Sequence, residues 1–258
     1  MPLSELPAPD QNWALFLDVD GTLVEIAATP SAVRITPRVV AMLRHLMDAF
    51  GNAVALVSGR SIGVIDQLFE PLRLPVAGLH GLEVRDAKGD LYPAANEGDC
   101  LEEIRAALTQ YAHAFPGVLL EDKGATLALH YRQAPEQADA ARALVSDLLS
   151  QQSNYHFLEG KMVLEVKPAN VHKGRAVERL LTEPPFAGRL PVYVGDDVTD
   201  EDGFTTVNRL GGHSIRVGME GASAATRRVE SVPVLLDWLA SLPDAILAKA
   251  KPRGSKPA

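Results

Sequence analysis

Cysteine is almost absent from this sequence, and other markers of specialised protein classes are missing too. Cys100 is the single cysteine among 258 residues, so no intramolecular disulfide can form. No cysteine and histidine spacing of the structural-zinc type occurs. The chain has no run of about 18 apolar residues, and its first residues lack the basic and apolar segments of a signal peptide. These absences predict a cytoplasmic protein without a membrane partner.

Positive charge is scarce as well. The chain has 25 Lys and Arg against 33 Asp and Glu, a net charge of −8. This balance argues against nucleic acid as the main partner, because nucleic acid is itself an anion. Neither a P-loop nor a dinucleotide-binding glycine fingerprint is present. A phosphorylated small molecule is still compatible with the charge, if a metal ion, a few basic side chains or helix N-termini concentrate positive charge locally.

The hydrophobic pattern predicts a parallel sheet. With 47% hydrophobic residues, the chain can build a sizeable core in one or two domains. Residues 14–17 form an apolar run that ends at Asp18, as a buried parallel strand would. A helical pattern over residues 37–50 and a second apolar run over 53–57 continue a β-α-β order. The opening of the chain is therefore typical of an α/β fold.

The pattern changes after about residue 84. Two helical segments, near 101–115 and 135–151, alternate with segments of antiparallel type and a turn at 86–90. Beyond residue 168 the β-α order resumes. We therefore predict a core formed by residues 1–83 and 168–258, with a smaller α+β domain, 84–167, inserted in it.

Polar side chains follow three of the predicted buried strands. Asp18 and Asp20 follow the first, Ser58 follows the second, and Asp196 and Asp197 follow a later one. The carboxyl ends of parallel strands meet in one crevice, where ligands bind, so these side chains are expected to converge. Clustered carboxylates repel one another unless a cation neutralises them, and oxygen ligands beside a phosphate suit Mg²⁺. The pattern predicts a Mg²⁺-dependent phosphate site.

Two of these acids are candidates for catalysis. With the metal bound, Asp18 can attack phosphorus and form an aspartyl-phosphate. Asp20 can protonate the leaving oxygen and later deprotonate water. Gly21 and Thr22 would let the backbone approach the phosphate. A single Asp after a strand is often only a turn or cap residue, and it is the combination of three strand ends that favours catalysis.

The stretch from Asp18 to Thr22 resembles the first signature of the haloacid dehalogenase superfamily. Ser58 resembles the phosphate-binding hydroxyl of the second motif, Lys173 the cation of the third, and the acids from Gly195 to Asp200 the fourth. The resemblance implies a Rossmann-like core with a variable cap and a catalytic Lys173. It implies phosphate binding by Gly21, Thr22, Ser58 and Lys173, and metal binding by Asp18, Asp20, Asp196, Asp197 and Asp200.

Within that superfamily the sequence resembles the trehalose-6-phosphate phosphatase family. The segment from Gly195 to Phe204 is similar to the family's extended fourth motif, and other similar segments lie beside or within the insert. The resemblance implies hydrolysis of trehalose 6-phosphate, with sugar specificity in the cap. It implies substrate contacts from Arg60, His80, Gly81, Glu83, Lys123, His130, Arg132 and Glu165. For Lys123, His130 and Arg132, a solvated strand face or turn is the alternative interpretation.

Two other functions stay open on the sequence alone. A phosphatase of the same architecture could act on another sugar phosphate, such as sucrose 6-phosphate or mannosyl-phosphoglycerate. A non-catalytic phosphosugar-binding module would keep the fold without turnover, although the intact set of Asp18, Asp20, Lys173 and Asp196 argues against it.

Overall fold

A computed structural model describes residues 6–27, 32–93, 98–122, 124, 126–150, 152, 154–160, 162–169 and 171–250. The chain divides into two compact units. The first comprises Met1–Ala94 and His172–Ala258, and the second comprises Ala95–Val171. No helix within the described ranges is both long and apolar enough to cross a membrane.

The first unit is built on one eight-stranded sheet. Its strands in chain order are β1 (Trp13–Leu17), β2 (Val54–Val57), β3 (Val76–Gly78), β4 (Glu83–Arg85), β5 (Leu91–Pro93), β10 (Leu190–Gly195), β11 (His213–Val217) and β12 (Arg227–Val229). They lie in the order β12-β11-β10-β1-β2-β3-β4-β5. The pairs from β12 to β3 are parallel, and β4 and β5 join as an antiparallel hairpin. This arrangement confirms the predicted α/β class with a parallel-dominated sheet.

Helices cover both faces of this sheet. They are α1 (Pro37–Ala49), α2 (Ile62–Phe69), α5 (Lys173–Leu180), α6 (Glu201–Arg209) and α7 (Val232–Ala250). Side chains alternate along β1, so Leu15 and Leu17 pack in the cluster with α1, α2 and α7, whereas Phe16 packs with α5 and α6. A strand buried on both faces needs a continuous apolar sequence, and β1 is buried throughout.

The second unit is an antiparallel sheet with two helices. Its elements are α3 (Gly98–Ala114), β6 (Leu119–Asp122), β7 (Leu127–His130), α4 (Ala138–Leu149), β8 (Tyr155–Gly160) and β9 (Val163–Pro168). The strand order is β6-β7-β9-β8. Leu129 and Leu164 pack with Leu108 of α3 and Val145 of α4 in a separate core. The two helical segments predicted here from the sequence correspond to α3 and α4.

The boundary between the units differs from the predicted one. The sequence places everything from residue 84 in the insert, including the turn at 86–90. In the structure Glu83–Arg85 pairs with Val76–Gly78, and Leu91–Pro93 pairs with Glu83–Arg85, so the hairpin extends the sheet of the first unit. A hairpin has the same local pattern in either sheet, and only the long-range partner of its first strand decides where it belongs.

Candidate active site

The candidate site lies where three neighbouring parallel strands end. Asp18 follows β1, Ser58 follows β2 and Asp196 follows β10, and β1 lies between the other two. The parallel register therefore brings the three side chains to one edge of the sheet, as the sequence predicts.

Asp18 and Lys173 form the buried centre of the site. Lys173 is the first residue of α5, and its Nζ donates to Asp18 Oδ1 and to Asp200 Oδ1, both at 2.7 Å. Asp18 is 4% exposed and Lys173 is 2% exposed. Asp18 Oδ2 is buried and accepts no hydrogen bond from any residue that the structure describes. Lys173 therefore fixes one oxygen of Asp18 and leaves the other available to a ligand.

The charges around Lys173 are unevenly balanced. Burial raises the pKa of Asp18 to about 7, against the opposing charge of Lys173 and with reinforcement from Asp200. Burial works against the ammonium of Lys173, but Asp18 and Asp200 together hold its pKa above the usual value. The two shifts are consistent with each other, because one ammonium, that of Lys173, is shared by two carboxylates. The cation is fully compensated, whereas the acids are not.

Asp200 holds the far side of this network. Its Oδ1 accepts from Lys173 Nζ and from the Tyr193 hydroxyl, and its Oδ2 accepts from the backbone N–H groups of Asp196 and Asp197. A carboxylate offers about four lone-pair sites, so all of those of Asp200 are in use. Asp200 thus links Lys173, strand β10 and the loop that carries Asp196.

Tyr193 is a residue that the sequence analysis missed. It lies in the middle of β10, where it reads as one more apolar strand residue, and it is fully buried. Its hydroxyl lies 2.7 Å from Asp200 Oδ1. Burial raises its pKa well above the usual value, and Asp200 adds to the shift. A signal was present, because a buried tyrosine hydroxyl needs a hydrogen-bond partner.

The carboxylates fit a divalent cation. Oxygens of Asp18, Asp196 and Asp200 lie within 4.8 Å of one another. Three carboxylates and the single ammonium of Lys173 leave two uncompensated negative charges, and burial, with Asp200 and Asp197, raises the pKa of Asp196 to about 6. Gly21 has φ +81°, and a Cβ there would overlap the Asp196 carboxylate. Asp18 Oδ2, which accepts no hydrogen bond from the described residues, adds an oxygen ligand of the kind that hard cations prefer.

Two acids predicted as metal ligands lie outside that group. Asp20 is held by Arg60, whose Nε and Nη2 donate to Asp20 Oδ2 and Oδ1 at 2.7 Å each. Asp197 is exposed and caps the 3₁₀ turn Val198–Asp200, where its side chain accepts from Val198 N–H at 2.7 Å. The resemblance implies that Arg60 contacts substrate, but in the structure it pairs with the proposed acid–base residue. The acid–base role of Asp20 stays a prediction.

The expected phosphate ligands of the two loops lie just after β1 and β2. Ser58 is 1% exposed, and its Oγ accepts from Arg60 N–H at 3.2 Å. Thr22 is fully buried, with Oγ1 3.5 Å from Asp196 Oδ1. Gly21 N–H donates to Val24 O at 2.8 Å within the turn after β1. Asp18, Gly21 and Thr22 belong to one five-residue segment, whereas Ser58 and Asp196 are distant in sequence and are brought to the same edge by the parallel strands.

The remaining candidates of the first unit lie in the turn after β3. Leu79 and His80 have positive φ angles of 47° and 59°, and Gly81 has 106°. The backbone N–H of His80 donates to Ser58 O, and that of Leu79 donates to Arg60 O, both at 2.9 Å. The carboxylate of Glu83 accepts from Ile62 N–H at 3.0 Å. Leu79, His80 and Glu83 therefore contact the loop that carries Ser58 and Arg60 or the helix after it, whereas Gly81 lies against His172.

The other predicted substrate residues belong to the second unit. His130 and Glu165 lie on the sheet face opposite to the buried Leu129 and Leu164, since side chains alternate along β7 and β9. His130 Nε2 lies 2.9 Å from Glu121 Oε2. Arg132 is exposed just after β7. Lys123 lies outside the described residues.

Comparisons with known proteins identify the family. Residues 16–232 match the family model described as trehalose-phosphatase. A probable trehalose-phosphate phosphatase of Sinorhizobium fredii is 46% identical over 242 residues, which cover 93% of this chain and 91% of that protein. The trehalose-6-phosphate phosphatase of Escherichia coli is 40% identical over 252 residues, which cover 96% and 93% of the two chains.

Solved structures show the same fold. The C-terminal domain of the C. albicans trehalose-6-phosphate phosphatase aligns with a TM-score of 0.72 at 23% identity, covering 91% of this chain and 92% of that one. The Aspergillus fumigatus trehalose-6-phosphate phosphatase gives a TM-score of 0.69 at 24% identity, covering 91% and 95%. Together with the sequence relatives, these matches confirm the resemblance found in the motifs: the chain is a phosphatase that belongs to the trehalose-phosphatase family.

Proposed function

We propose that this phosphatase hydrolyses trehalose 6-phosphate to trehalose and phosphate, that it requires Mg²⁺, and that Asp18 carries the transferred phosphoryl group. The observation that supports the mechanism best is the environment of Asp18. One of its oxygens is fixed by Lys173, and the other is buried at the strand end and accepts no hydrogen bond from the described residues. The substrate is supported by the family and by the names of the relatives.

In the first step Asp18 Oδ2 attacks phosphorus. A bond forms between this oxygen and phosphorus, and the bond between phosphorus and the sugar oxygen breaks. Asp20 delivers its proton to the leaving sugar oxygen, so that trehalose departs as a neutral alcohol. Lys173 keeps the Asp18 carboxylate oriented through Oδ1 and offers positive charge beside the developing anion.

In the second step water attacks the aspartyl-phosphate. Asp20, now ionised, takes a proton from this water, and the bond between phosphorus and Asp18 breaks. Phosphate leaves, and both carboxyl groups return to their starting states. In the structure each oxygen of Asp20 accepts one hydrogen bond from Arg60, which leaves a second lone pair on each oxygen for the proton that Asp20 delivers.

Mg²⁺, when bound, neutralises the carboxylates and screens the charge of the incoming phosphate. Asp18 and Asp196 are the residues that would hold it, since both have carboxylate oxygens available beside each other. Asp200 contributes negative charge, but its four hydrogen bonds already use both of its oxygens. Coordination by Asp20 and Asp197 stays a prediction.

In this proposal different residues bind the phosphoryl group and the sugar of the substrate. Gly21, Thr22, Ser58 and Lys173 bind the phosphoryl oxygens. Residues of the second unit recognise sugar hydroxyls, which need side chains that donate and accept hydrogen bonds. The candidates are Lys123, His130, Arg132 and Glu165.

The test is release of phosphate from trehalose 6-phosphate, sucrose 6-phosphate and glucose 6-phosphate, with Mg²⁺ and with excess EDTA. We expect the highest kcat/KM on trehalose 6-phosphate and no turnover in EDTA. A higher value on another sugar phosphate would reassign the substrate within the same mechanism. Absence of release from every substrate, in protein that still binds trehalose 6-phosphate, would identify a non-catalytic binding module.

A further inference from the structure

The turn after β3 is tied to the loop after β2 by three hydrogen bonds. Two come from backbone N–H groups, those of Leu79 and His80, and end on Arg60 O and Ser58 O. The third comes from Ile62 N–H and ends on the Glu83 side chain. The loop that runs from Ser58 to Ile62 is therefore held at its beginning, its middle and its end.

The geometry of the turn is demanding. Leu79, His80 and Gly81 have consecutive positive φ angles of 47°, 59° and 106°, although only glycine adopts this region without strain. A non-glycine residue in this region is strained and persists only when its surroundings impose it. Strain of this kind occurs most often at ligand sites, and this turn lies against the loop that carries Ser58.

The turn is packed closely between the Ser58 loop and the residue before α5. A Cβ at Gly59 would lie 2.7 Å from His80 Nε2, so the Ser58 loop packs directly on the His80 ring. On the other side, a Cβ at Gly81 would lie 3.2 Å from His172 O, the residue before Lys173. The turn therefore contacts both the Ser58 loop and the residue before α5. A displacement of the turn would disturb the packing of these two neighbours.

Glu83 supplies a side-chain hydrogen bond that joins β4 to the end of this loop. Its Oε2 lies 3.0 Å from the first N–H of α2, while Ser61 Oγ caps the helix further on by accepting from Val64 N–H at 3.4 Å. A carboxylate at a helix N-terminus is stabilising, because free N–H groups and the helix dipole favour negative charge there. Without Glu83, the amide of Ile62 loses its partner and the end of the Ser58 loop loses its anchor.

We propose that Glu83 is a positioning residue of the phosphate site, acting through Ile62 N–H to hold the Ser58–Arg60 loop, and that it is not a sugar contact. The inference deepens the proposed function and rests on it for the reaction that Ser58 and Arg60 serve. It differs from the role that the family resemblance implies for Glu83. It predicts that loss of Glu83 impairs every phosphate ester, whether or not the ester carries a sugar.

The experiment compares Glu83→Ala, Glu83→Gln and Asp86→Ala with the parent protein. Asp86 is the matched control: it follows the same strand, is buried, and accepts from the N–H groups of Lys88 and Asp90 within the β4–β5 turn. Each protein is assayed with p-nitrophenyl phosphate, which has no sugar, and with trehalose 6-phosphate. Inhibition by inorganic phosphate reports on the phosphate site without turnover, and a thermal scan gives Tm.

For Glu83→Ala we expect kcat/KM to fall between about 10- and 100-fold on both esters, as a displaced positioning group causes, with a weaker Ki for phosphate. Glu83→Gln should stay within about threefold of the parent protein, since an amide oxygen still accepts from Ile62 N–H. Asp86→Ala should lower Tm and leave the phosphate Ki unchanged. Gly59→Ala places a Cβ 2.7 Å from His80 Nε2, so that the loop or the His80 ring must shift, and it should weaken phosphate binding as Glu83→Ala does. It tests the contact between loop and turn if Glu83→Ala does not fold.

Three results would overturn the proposal. A loss confined to trehalose 6-phosphate would make Glu83 a sugar contact. A lower Tm with unchanged phosphate Ki would make it a fold residue only, and a Glu83→Gln variant as poor as Glu83→Ala would exclude the hydrogen bond as the cause. A wrong substrate assignment gives a different result. In that case the parent protein cleaves p-nitrophenyl phosphate but not trehalose 6-phosphate, and the Glu83 variants can still be compared on p-nitrophenyl phosphate.

Discussion

Replacing Asp18 by Asn separates two effects of this carboxylate: its proposed role in turnover and its effect on the free energy of unfolding. Burial raises the pKa of Asp18 from 3.8 to about 7, despite the opposing charge of Lys173. The folded protein therefore holds the ionised form less well than the unfolded chain does. At 1.36 kcal/mol per pKa unit, the ionised side chain lowers the free energy of unfolding by on the order of 4 kcal/mol above pH 7.

The sign of the pH dependence follows from the same shift. Below about pH 3.8 Asp18 is protonated in both states, so it makes no difference to stability there. As the pH rises from 3.8 to about 7, the unfolded chain releases this proton first, and the stability of the parent protein falls. Asp18→Asn cannot ionise, so its advantage should be absent in acid and complete above about pH 7.

We therefore expect Asp18→Asn to have no turnover and, in EDTA at pH 8, a free energy of unfolding about 1 to 4 kcal/mol above that of the parent protein. Denaturant unfolding at several pH values measures this difference. Mg²⁺ should stabilise the parent protein more than the variant, since a ligand bound only by the folded state raises its stability. Asp139→Asn is the control, because the Asp139 side chain is 97% exposed.

Two outcomes would refute this reasoning. Near-normal turnover in Asp18→Asn would remove Asp18 from the role of nucleophile. A variant clearly less stable than the parent protein in EDTA at pH 8 would show that the ion pair with Lys173 outweighs the burial of the charge, and that the site is not short of positive charge.

Three further predictions concern the rest of the site. Excess EDTA should abolish turnover and Mg²⁺ should restore it, whereas Ca²⁺ should inhibit, because its looser coordination could engage both oxygens of Asp18; full activity in EDTA would contradict the metal assignment. Asp20→Asn should slow turnover by about 10² to 10⁴-fold, the usual size of an acid–base contribution, and rapid-quench kinetics can show which step slows. Tyr193→Phe removes the hydroxyl that lies 2.7 Å from Asp200 and should lower the free energy of unfolding by about 1.5 to 3 kcal/mol, measured by denaturant unfolding; an unchanged value would remove Tyr193 from the network.

Local sequence pattern was sufficient for the parts of the site that lie at strand ends. Asp18, Ser58 and Asp196 each end an apolar run, and the rule that parallel strands end at one edge brings them together without further information. Lys173 needed the family resemblance, since a lysine before a helical pattern has no distinctive local signal. In the structure it is the first residue of α5, with its charge placed between Asp18 and Asp200.

The features that the sequence could not predict depend on contacts between residues that are distant in the chain. The Arg60–Asp20 pair joins residues 40 positions apart, and no local pattern distinguishes an arginine that holds an acid from one that binds a sugar. The hairpin of β4 and β5 had the correct secondary structure but was assigned to the wrong unit, because its partner β3 is what determines its sheet. Tyr193 was hidden for a related reason, since its apolar neighbours made the strand look uniform.

The charge of the whole chain poses a difficulty that the site resolves. A protein with a net charge of −8 has to attract a phosphate dianion to a centre that itself contains three carboxylates. Lys173 compensates one of them, and burial, reinforced by the neighbouring carboxylates, raises the pKa of both Asp18 and Asp196. In the proposed mechanism a divalent cation would supply two positive charges beside Asp18, the proposed nucleophile. The proposed need for metal is thus in keeping with the electrostatics of Asp18, Asp196 and Asp200, since without a cation these carboxylates would repel the phosphate of the substrate.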